Sequence, residues 1–108
     1  MRSVVIIPAR YNSSRFPGKP LVRLLGKPMI LWVSEISAQA IGKENVYVAT
    51  DDEQISNVVT SAGFNVVMTS DRCATGTDRV AEAATKIKAD IYINVQGDQH
   101  MVSPKDIM

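Results

Sequence analysis

Four short apolar runs alternate along the chain with three stretches whose apolar residues recur at helical spacing. The runs are Val4 to Ile7, Asn45 to Thr50, Phe64 to Met68 and Ile91 to Val95. The first run is unbroken and rich in β-branched residues, which is typical of a strand buried on both faces. The alternation predicts an α/β fold with a parallel sheet and right-handed crossovers. Strand order 3-2-1-4 then places strands one and four side by side at the switch point, where such sheets bind ligands.

The three helical stretches carry apolar stripes and have recognisable starts. The stripes are Met29, Val33, Ile36 and Ala40, then Ile55, Val58, Val59 and Ala62, then Val80, Ala83, Ala84 and Ile87. The expected N-caps are Asp51 or Asp52 for the second helix and Thr75 or Thr77 for the third. Residues 26–28 are expected to form a turn, with Pro28 at the first position of the first helix. Glu82 and Lys86 are spaced to form an ion pair on the third helix.

A basic loop follows the first predicted strand and carries Arg10, Arg15 and Lys19. Residues 1–27 contain six Lys or Arg and no acidic residue, whereas the remainder carries six basic and eleven acidic residues. Three cations on one short loop repel one another unless an anion lies among them, and a triphosphate would satisfy them. Taken singly, each of these residues is equally an ordinary surface charge on a solvated turn.

Asp98 follows the fourth predicted strand and is expected to face the same crevice as the basic loop. A carboxylate there can hold Mg²⁺ beside phosphate groups or can cap a turn, and the sequence leaves both interpretations open. The segment Gly76 to Arg79 opens the third helix, whose amino terminus favours an anionic or polar ligand group. Asp78 in that first turn can equally serve only to complement the helix dipole.

Composition excludes several classes of protein. The 108 residues fit one domain at most, and one Cys with one His can build neither a disulfide framework nor a zinc site. No apolar run is long enough to span a bilayer, so we expect no membrane partner and a cytoplasmic location. Few aromatic residues and a net charge of +1 argue against a nucleic-acid binder. Cys73 has no obvious His or Asn partner and is not expected to be a nucleophile.

Four motifs, in order and correctly spaced, resemble the 3-deoxy-manno-octulosonate (Kdo) cytidylyltransferases. They are IPARYNSSRFPGKP at 7–20, Ala-Thr-Asp-Asp at 49–52, Gly-Thr-Asp-Arg at 76–79 and Asn-Val-Gln-Gly-Asp at 94–98. The resemblance extends from Val4 to about Pro104, and the Gly-Thr-Asp-Arg element separates the family from the sialic acid cytidylyltransferases. It implies the amino-terminal part of a Rossmann-like parallel sheet of the nucleotide-diphospho-sugar transferase type.

The resemblance also implies an activity. The family transfers CMP from CTP to Kdo with Mg²⁺ as cofactor, releases pyrophosphate and supplies lipopolysaccharide biosynthesis. Family members are substantially longer than this chain, and the full-length enzyme is expected to be a homodimer. Residues 1–108 are therefore expected to form the nucleotide-binding half of a cytidylyltransferase domain, with the carboxyl-terminal half absent. The alternatives are a non-catalytic CTP-binding fragment and a cytidylyltransferase for a related acidic sugar.

The family's functional positions can be carried over to matching residues of this sequence. By motif position, the expected nucleotide-binding residues are Ala9, Arg10, Arg15, Lys19, Thr75, Gly76 and Arg79. Lys19 and Asp98 are expected to be catalytic, with Asp98 as the Mg²⁺ ligand, and Gln96 is expected to contact the sugar or the nucleotide. Two segments depart from the family pattern: Gln99-His100 replaces Glu-Pro, and residues 72–74 replace Asp-His-Gln.

Overall fold

The computed structural model describes residues 1–10, 19–73 and 75–95, with Lys19 described in its backbone alone. In chain order the elements are β1 (Ser3–Pro8), β2 (Arg23–Leu24), β3 (Lys27–Pro28), α1 (Met29–Ile41), β4 (Val46–Thr50), α2 (Glu53–Ser61), β5 (Asn65–Met68), α3 (Gly76–Ala84) and β6 (Ile91–Asn94). Short 3-10 turns occupy Lys19–Leu21 and Lys43–Asn45. Within the described residues, no helix is both long enough and apolar enough to cross a bilayer.

The main sheet is parallel and confirms the predicted order. Its strands run β5-β4-β1-β6, so the first and fourth long strands of the chain are neighbours. Ile7 lies opposite Val48 of β4, and Val5 lies opposite Ile93 of β6. The carboxyl ends of all these strands therefore meet at one edge of the sheet.

β1 is buried on both faces, as its unbroken apolar sequence predicts. Its residues alternate between two cores because successive side chains of a strand point to opposite faces. Val5 and Ile7 pack with residues of α1 and α2, whereas Val4 and Ile6 pack with residues of α3. Each of these four side chains is fully buried, which contributes about 2 kcal/mol per side chain by the hydrophobic effect. Helices thus cover both faces of the sheet around one central strand.

The starts of α2 and α3 agree with the predicted caps. The end of α3 differs from the prediction. The Asp52 carboxylate accepts a hydrogen bond from the Ile55 amide at 2.9 Å, and the Thr75 hydroxyl accepts one from the Asp78 amide at 3.0 Å. α3 ends at Ala84, so the prediction that Ile87 belongs to the helical stripe is wrong. Ile87 is nevertheless buried against the core that contains Val4 and Ile6.

A small hairpin replaces the predicted turn before α1. Arg23 pairs with Pro28 and Leu24 with Lys27 in antiparallel fashion, so Pro28 ends β3 and α1 begins one residue later. The Trp32 indole donates a hydrogen bond to the Leu24 carbonyl at 2.7 Å, which holds the hairpin against α1. The sequence did not indicate a hairpin because its two strands are only two residues long each.

The hairpin turn places a leucine in an unfavourable backbone conformation. Leu25 has φ 54° and Gly26 has φ 82°, as in the two-residue turns where Asn-Gly is preferred. Leu25 is 80% exposed, so its side chain gains little from burial. We therefore expect Leu25→Asn to raise the free energy of unfolding by about 1 kcal/mol, measured by urea denaturation. Leu25→Ala is the control, because alanine keeps the Cβ and lacks the amide; an equal gain from alanine would contradict this explanation.

Candidate active site

The segments after β1, β4 and β6 lie side by side at the carboxyl edge of the sheet. The Ala9 amide donates to the Ala49 carbonyl at 2.9 Å, which fixes the start of the basic loop beside the end of β4. The Val95 amide donates to the Ile6 carbonyl at 3.2 Å, so the chain leaves β6 next to β1. Ala9 is 3% exposed, and Arg10 is half-buried at the point where the basic loop begins.

The amino terminus of α3 carries two of the predicted nucleotide-binding residues. Thr75 is exposed and caps the helix, and Gly76 is its first residue. The first amides of a helix have no partner within the helix and favour an anionic or polar group. Asp78 also lies in this first turn, where its carboxylate complements the same dipole.

Arg79 lies inside the protein rather than on the surface of the edge. The residue is 1% exposed, and one terminal nitrogen donates to the Thr69 hydroxyl at 2.5 Å and to the Ser70 carbonyl at 3.4 Å. The same nitrogen lies 3.5 Å from an oxygen of Asp51. Asp51 was not among the predicted site residues. The available signal was a pair of aspartates after a strand, of which only Asp52 is needed as the cap.

Arg79 and Glu82 of α3, together with Lys86 just beyond the end of the helix, hold the segment that follows β5. Arg79 contacts Thr69 and Ser70, the Glu82 carboxylate accepts a hydrogen bond from the Ser70 amide at 2.7 Å, and the Lys86 ammonium donates to the Met68 carbonyl at 2.7 Å. The predicted Glu82–Lys86 pair is confirmed, at 3.5 Å. These contacts fix the path from β5 towards Thr75.

Glu82 also changes the chemistry of the neighbouring cysteine. Burial, together with a hydrogen bond to Glu82 at 3.5 Å, raises the pKa of the Cys73 thiol above its usual value. A protonated thiol is a weak nucleophile, in line with the absence of a catalytic role expected for Cys73.

At least three of the six basic residues in the amino-terminal segment, residues 1–27, contact other protein groups. Arg2 contacts the Lys88 carbonyl and the Tyr47 hydroxyl, Arg23 contacts the Gly26 carbonyl, and Lys27 pairs with Glu35 at 2.7 Å. Part of the positive charge in residues 1–27 therefore stabilises the fold. The remaining basic residues of the segment, Arg10, Arg15 and Lys19, are the ones predicted to bind the triphosphate.

Several predicted site residues lie outside the described part of the chain. They are Arg15, Gln96, Asp98 and the side chain of Lys19. The same holds for the departure at Gln99-His100. Among the described residues, no three His, Cys, Asp or Glu side chains cluster as a metal site. The roles predicted for these residues remain predictions.

Comparison with known proteins identifies the family. The family model described as "Cytidylyltransferase" matches residues 4–108. The chain belongs to this family. Over 106 residues it is 48% identical to the 3-deoxy-manno-octulosonate cytidylyltransferase of Escherichia coli, covering 98% of this chain and 43% of that protein. It is 51% identical over 110 residues to the 8-amino-3,8-dideoxy-manno-octulosonate cytidylyltransferase of Shewanella halifaxensis, covering 99% of this chain and 45% of that protein.

Solved structures of cytidylyltransferases share the fold. The structure of CMP:2-keto-3-deoxy-manno-octonic acid synthetase complexed with CTP superposes with a TM-score of 0.93 at 48% identity, covering 99% of this chain and 44% of that one. A cytidylyltransferase from Leptospira borgpetersenii gives 0.82 at 25% identity, covering 98% and 45%. The chain thus spans less than half the length of the curated relatives it matches.

The Glu82 carboxylate should make the stability of this chain depend on pH. The Ser70 amide, followed by Cys73 and Lys86, lowers the pKa of Glu82 below its usual 4.5. A lowered pKa means that the ionised group stabilises the fold above 4.5, and that this contribution disappears as the pH falls through the lowered value. We expect Glu82→Gln to lower Tm near neutral pH and to have progressively less effect on acidification.

Calorimetric Tm values across this pH range provide the measurement. Lys86→Met is the comparison, because it should keep most of the pH dependence: the Ser70 amide is the largest cause of the shift. A Tm difference between Glu82→Gln and the unmodified protein that stays constant with pH would contradict the assignment.

Proposed function

We propose that residues 1–108 form the nucleotide-binding half of an enzyme that transfers CMP from CTP to Kdo and releases pyrophosphate. One observation carries the proposal: the chain superposes with a TM-score of 0.93 on a CMP:2-keto-3-deoxy-manno-octonic acid synthetase complexed with CTP, at 48% identity. The geometry supports it, because the segments bearing Arg10, Thr75 and Gly76 leave from one edge of a parallel sheet. This edge is where open α/β sheets bind nucleotides.

The reaction needs positioning and charge more than it needs a nucleophile on the protein. The anomeric hydroxyl of Kdo attacks the α-phosphorus of CTP, forming a new O–P bond while the bond to the β-phosphate oxygen breaks. The hydroxyl proton is lost and pyrophosphate carries away the bonding electron pair. Arg10, Arg15 and Lys19 offset the negative charge on the phosphates, which lowers the barrier. No covalent enzyme intermediate is required.

The remaining predicted residues have roles that match their positions. Ala9 is 3% exposed, so it serves the nucleotide site by fixing the start of the basic loop beside the end of β4. Thr75 and Gly76 present the amino terminus of α3 to the nucleotide. Gln96 contacts the sugar or the nucleotide. Arg79 belongs to the nucleotide side, and its burial suggests an indirect contribution there.

Mg²⁺ is the cofactor in this proposal, with Asp98 as its protein ligand. A carboxylate with phosphate oxygens is the hard oxygen donor set that Mg²⁺ prefers. The hydrogen bond from the Val95 amide to the Ile6 carbonyl supports this fit, because it holds the chain three residues before Asp98 beside the end of β1. When bound, the ion neutralises charge on the triphosphate.

The wider setting of the proposal follows from the proposed product. CMP-Kdo would serve lipopolysaccharide biosynthesis in the cytoplasm, and the full-length enzyme would be a homodimer. The 8-amino sugar is the alternative acceptor, because the chain is 51% identical to an enzyme named for 8-amino-3,8-dideoxy-manno-octulosonate. The two sugars share the octulosonate acid and differ at carbon 8.

Pyrophosphate release tests the activity directly. The protein at its full encoded length is incubated with CTP, Mg²⁺ and either Kdo or the 8-amino sugar. We expect turnover with the highest kcat/KM for Kdo. A higher value for the 8-amino sugar would reassign the acceptor. CTP binding without release from either sugar would favour a non-catalytic CTP-binding protein, and the absence of both would refute the proposal.

Charge removal in the basic loop should weaken CTP binding in a salt-dependent manner. We expect Lys19→Ala and Arg15→Ala to raise the Kd for CTP about tenfold at low ionic strength and by less at high ionic strength, because salt screens exposed charges. Isothermal titration calorimetry at two salt concentrations measures this.

Lys88→Ala is the matched control for that measurement. It removes one exposed positive charge that precedes β6, at the opposite edge of the sheet. We expect its Kd for CTP to change less than twofold, since distant exposed charges are screened. Equal losses of affinity for CTP and for uncharged cytidine in the loop variants would show a structural rather than an electrostatic effect.

A further inference from the structure

We propose that Asp51 is a positioning residue for CTP binding, which acts by holding the buried guanidinium of Arg79. This inference rests on the proposed function, since it concerns the nucleotide site of that reaction. Asp51 is neither the cap of α2 nor a predicted metal ligand. Its carboxylate oxygen lies 3.5 Å from Arg79, and the Asp51 side chain is 27% exposed whereas that of Arg79 is 2% exposed.

Among the described residues, three partners orient the guanidinium of Arg79. Its contacts to Asp51, Thr69 and Ser70 all converge on one terminal nitrogen. The Nε atom is buried and has no hydrogen-bond partner among the described residues. In the described part of the chain, Asp51 is the carboxylate within ion-pairing distance of this buried charge. A buried charge that loses its partner is strongly unfavourable, so Arg79 should move when Asp51 is neutralised.

These contacts join the segments that carry the predicted nucleotide-binding residues. Asp51 follows β4, whose Ala49 carbonyl holds the Ala9 amide. Thr69 and Ser70 begin the path from β5 to the amino terminus of α3. The Arg79 amide donates to the Thr75 carbonyl at 3.2 Å, so a shift of Arg79 is transmitted to the first turn of α3.

Arg79 can act on the nucleotide by placing other groups. Its side chain is 2% exposed, which leaves almost no surface for a ligand to contact. The groups that it places are exposed or half-buried at the edge, namely Thr75 and Gly76. The pair of Asp51 and Arg79 therefore fixes the distance between the amino terminus of α3 and the end of β4.

Neutralising Asp51 should change CTP affinity in opposite directions under an electrostatic and a positioning role. A carboxylate near a triphosphate site repels the ligand, so its neutralisation should strengthen CTP binding if only long-range electrostatics mattered. If Asp51 positions the site through Arg79, neutralisation should weaken binding instead. The adjacent Asp52 provides a matched control, because Asn caps a helix as well as Asp does and Asp52 bonds to the Ile55 amide, not to Arg79.

Calorimetric titration with CTP and Mg²⁺ tests the inference on the protein at its full encoded length. We expect Asp51→Asn to raise Kd about tenfold, which corresponds to the loss of about one hydrogen bond to the nucleotide. Asp52→Asn should leave Kd unchanged or lower it. Loss of folded protein lowers the binding stoichiometry without changing Kd, so a rise in Kd at full stoichiometry identifies positioning.

A gentler variant keeps the test decisive if Asp51→Asn does not fold. Thr69→Val keeps the side-chain shape and removes the hydroxyl that accepts from Arg79, and we expect a rise in Kd of about threefold. An unchanged Kd in Thr69→Val, or in folded Asp51→Asn, would overturn the inference while leaving the proposed function intact. Failure of the unmodified protein to bind CTP would overturn the proposed function, and this inference with it.

Discussion

Burial of β1 on both faces is the constraint on which the rest of the structure depends. Its four apolar side chains alternate between two cores, so helices must cover both faces and a strand must pair on each side. Pro8 ends this strand and the basic segment follows at once. The loop therefore leaves from the edge where β4 and β6 also end. The location of the candidate site is a consequence of core packing before any ligand is considered.

The sequence predicts most of the fold because the fold follows local periodicity and chain order. The strand order follows the common arrangement of doubly wound sheets. Each of the two helix caps was predicted as one of two residues, and the Glu82–Lys86 pair was available from spacing. The hairpin before α1 was not, because Leu25 occupies a position where Asn would have indicated a two-residue turn. The end of α3 was also misjudged, because Ile87 continues the apolar pattern and is buried without being helical.

The location of the candidate site was predictable from the sequence. Which of its basic side chains contact protein groups was not. Arg79 was expected to line the nucleotide because of its motif position in the family. Arginines are usually exposed, whereas this one is buried. Its burial depends on Asp51 and Thr69, which lie on other elements and are distant in sequence. Arg2, Arg23 and Lys27 likewise bind protein groups, although the charge count alone places them with the phosphate-binding set.

Stability alone does not account for a buried guanidinium at this edge. Desolvating an arginine costs several kcal/mol, and an apolar side chain of similar volume often fills such a space at no loss of stability. Among the described residues, the ion pair to the partly exposed Asp51 and the Nε without a hydrogen-bond partner are a weak compensation for that cost. An apolar residue cannot form directional hydrogen bonds or an ion pair. From one nitrogen, an ion pair to the segment after β4 and hydrogen bonds to the segment after β5 fix these segments relative to α3. A nucleotide that contacts them requires that fixed geometry.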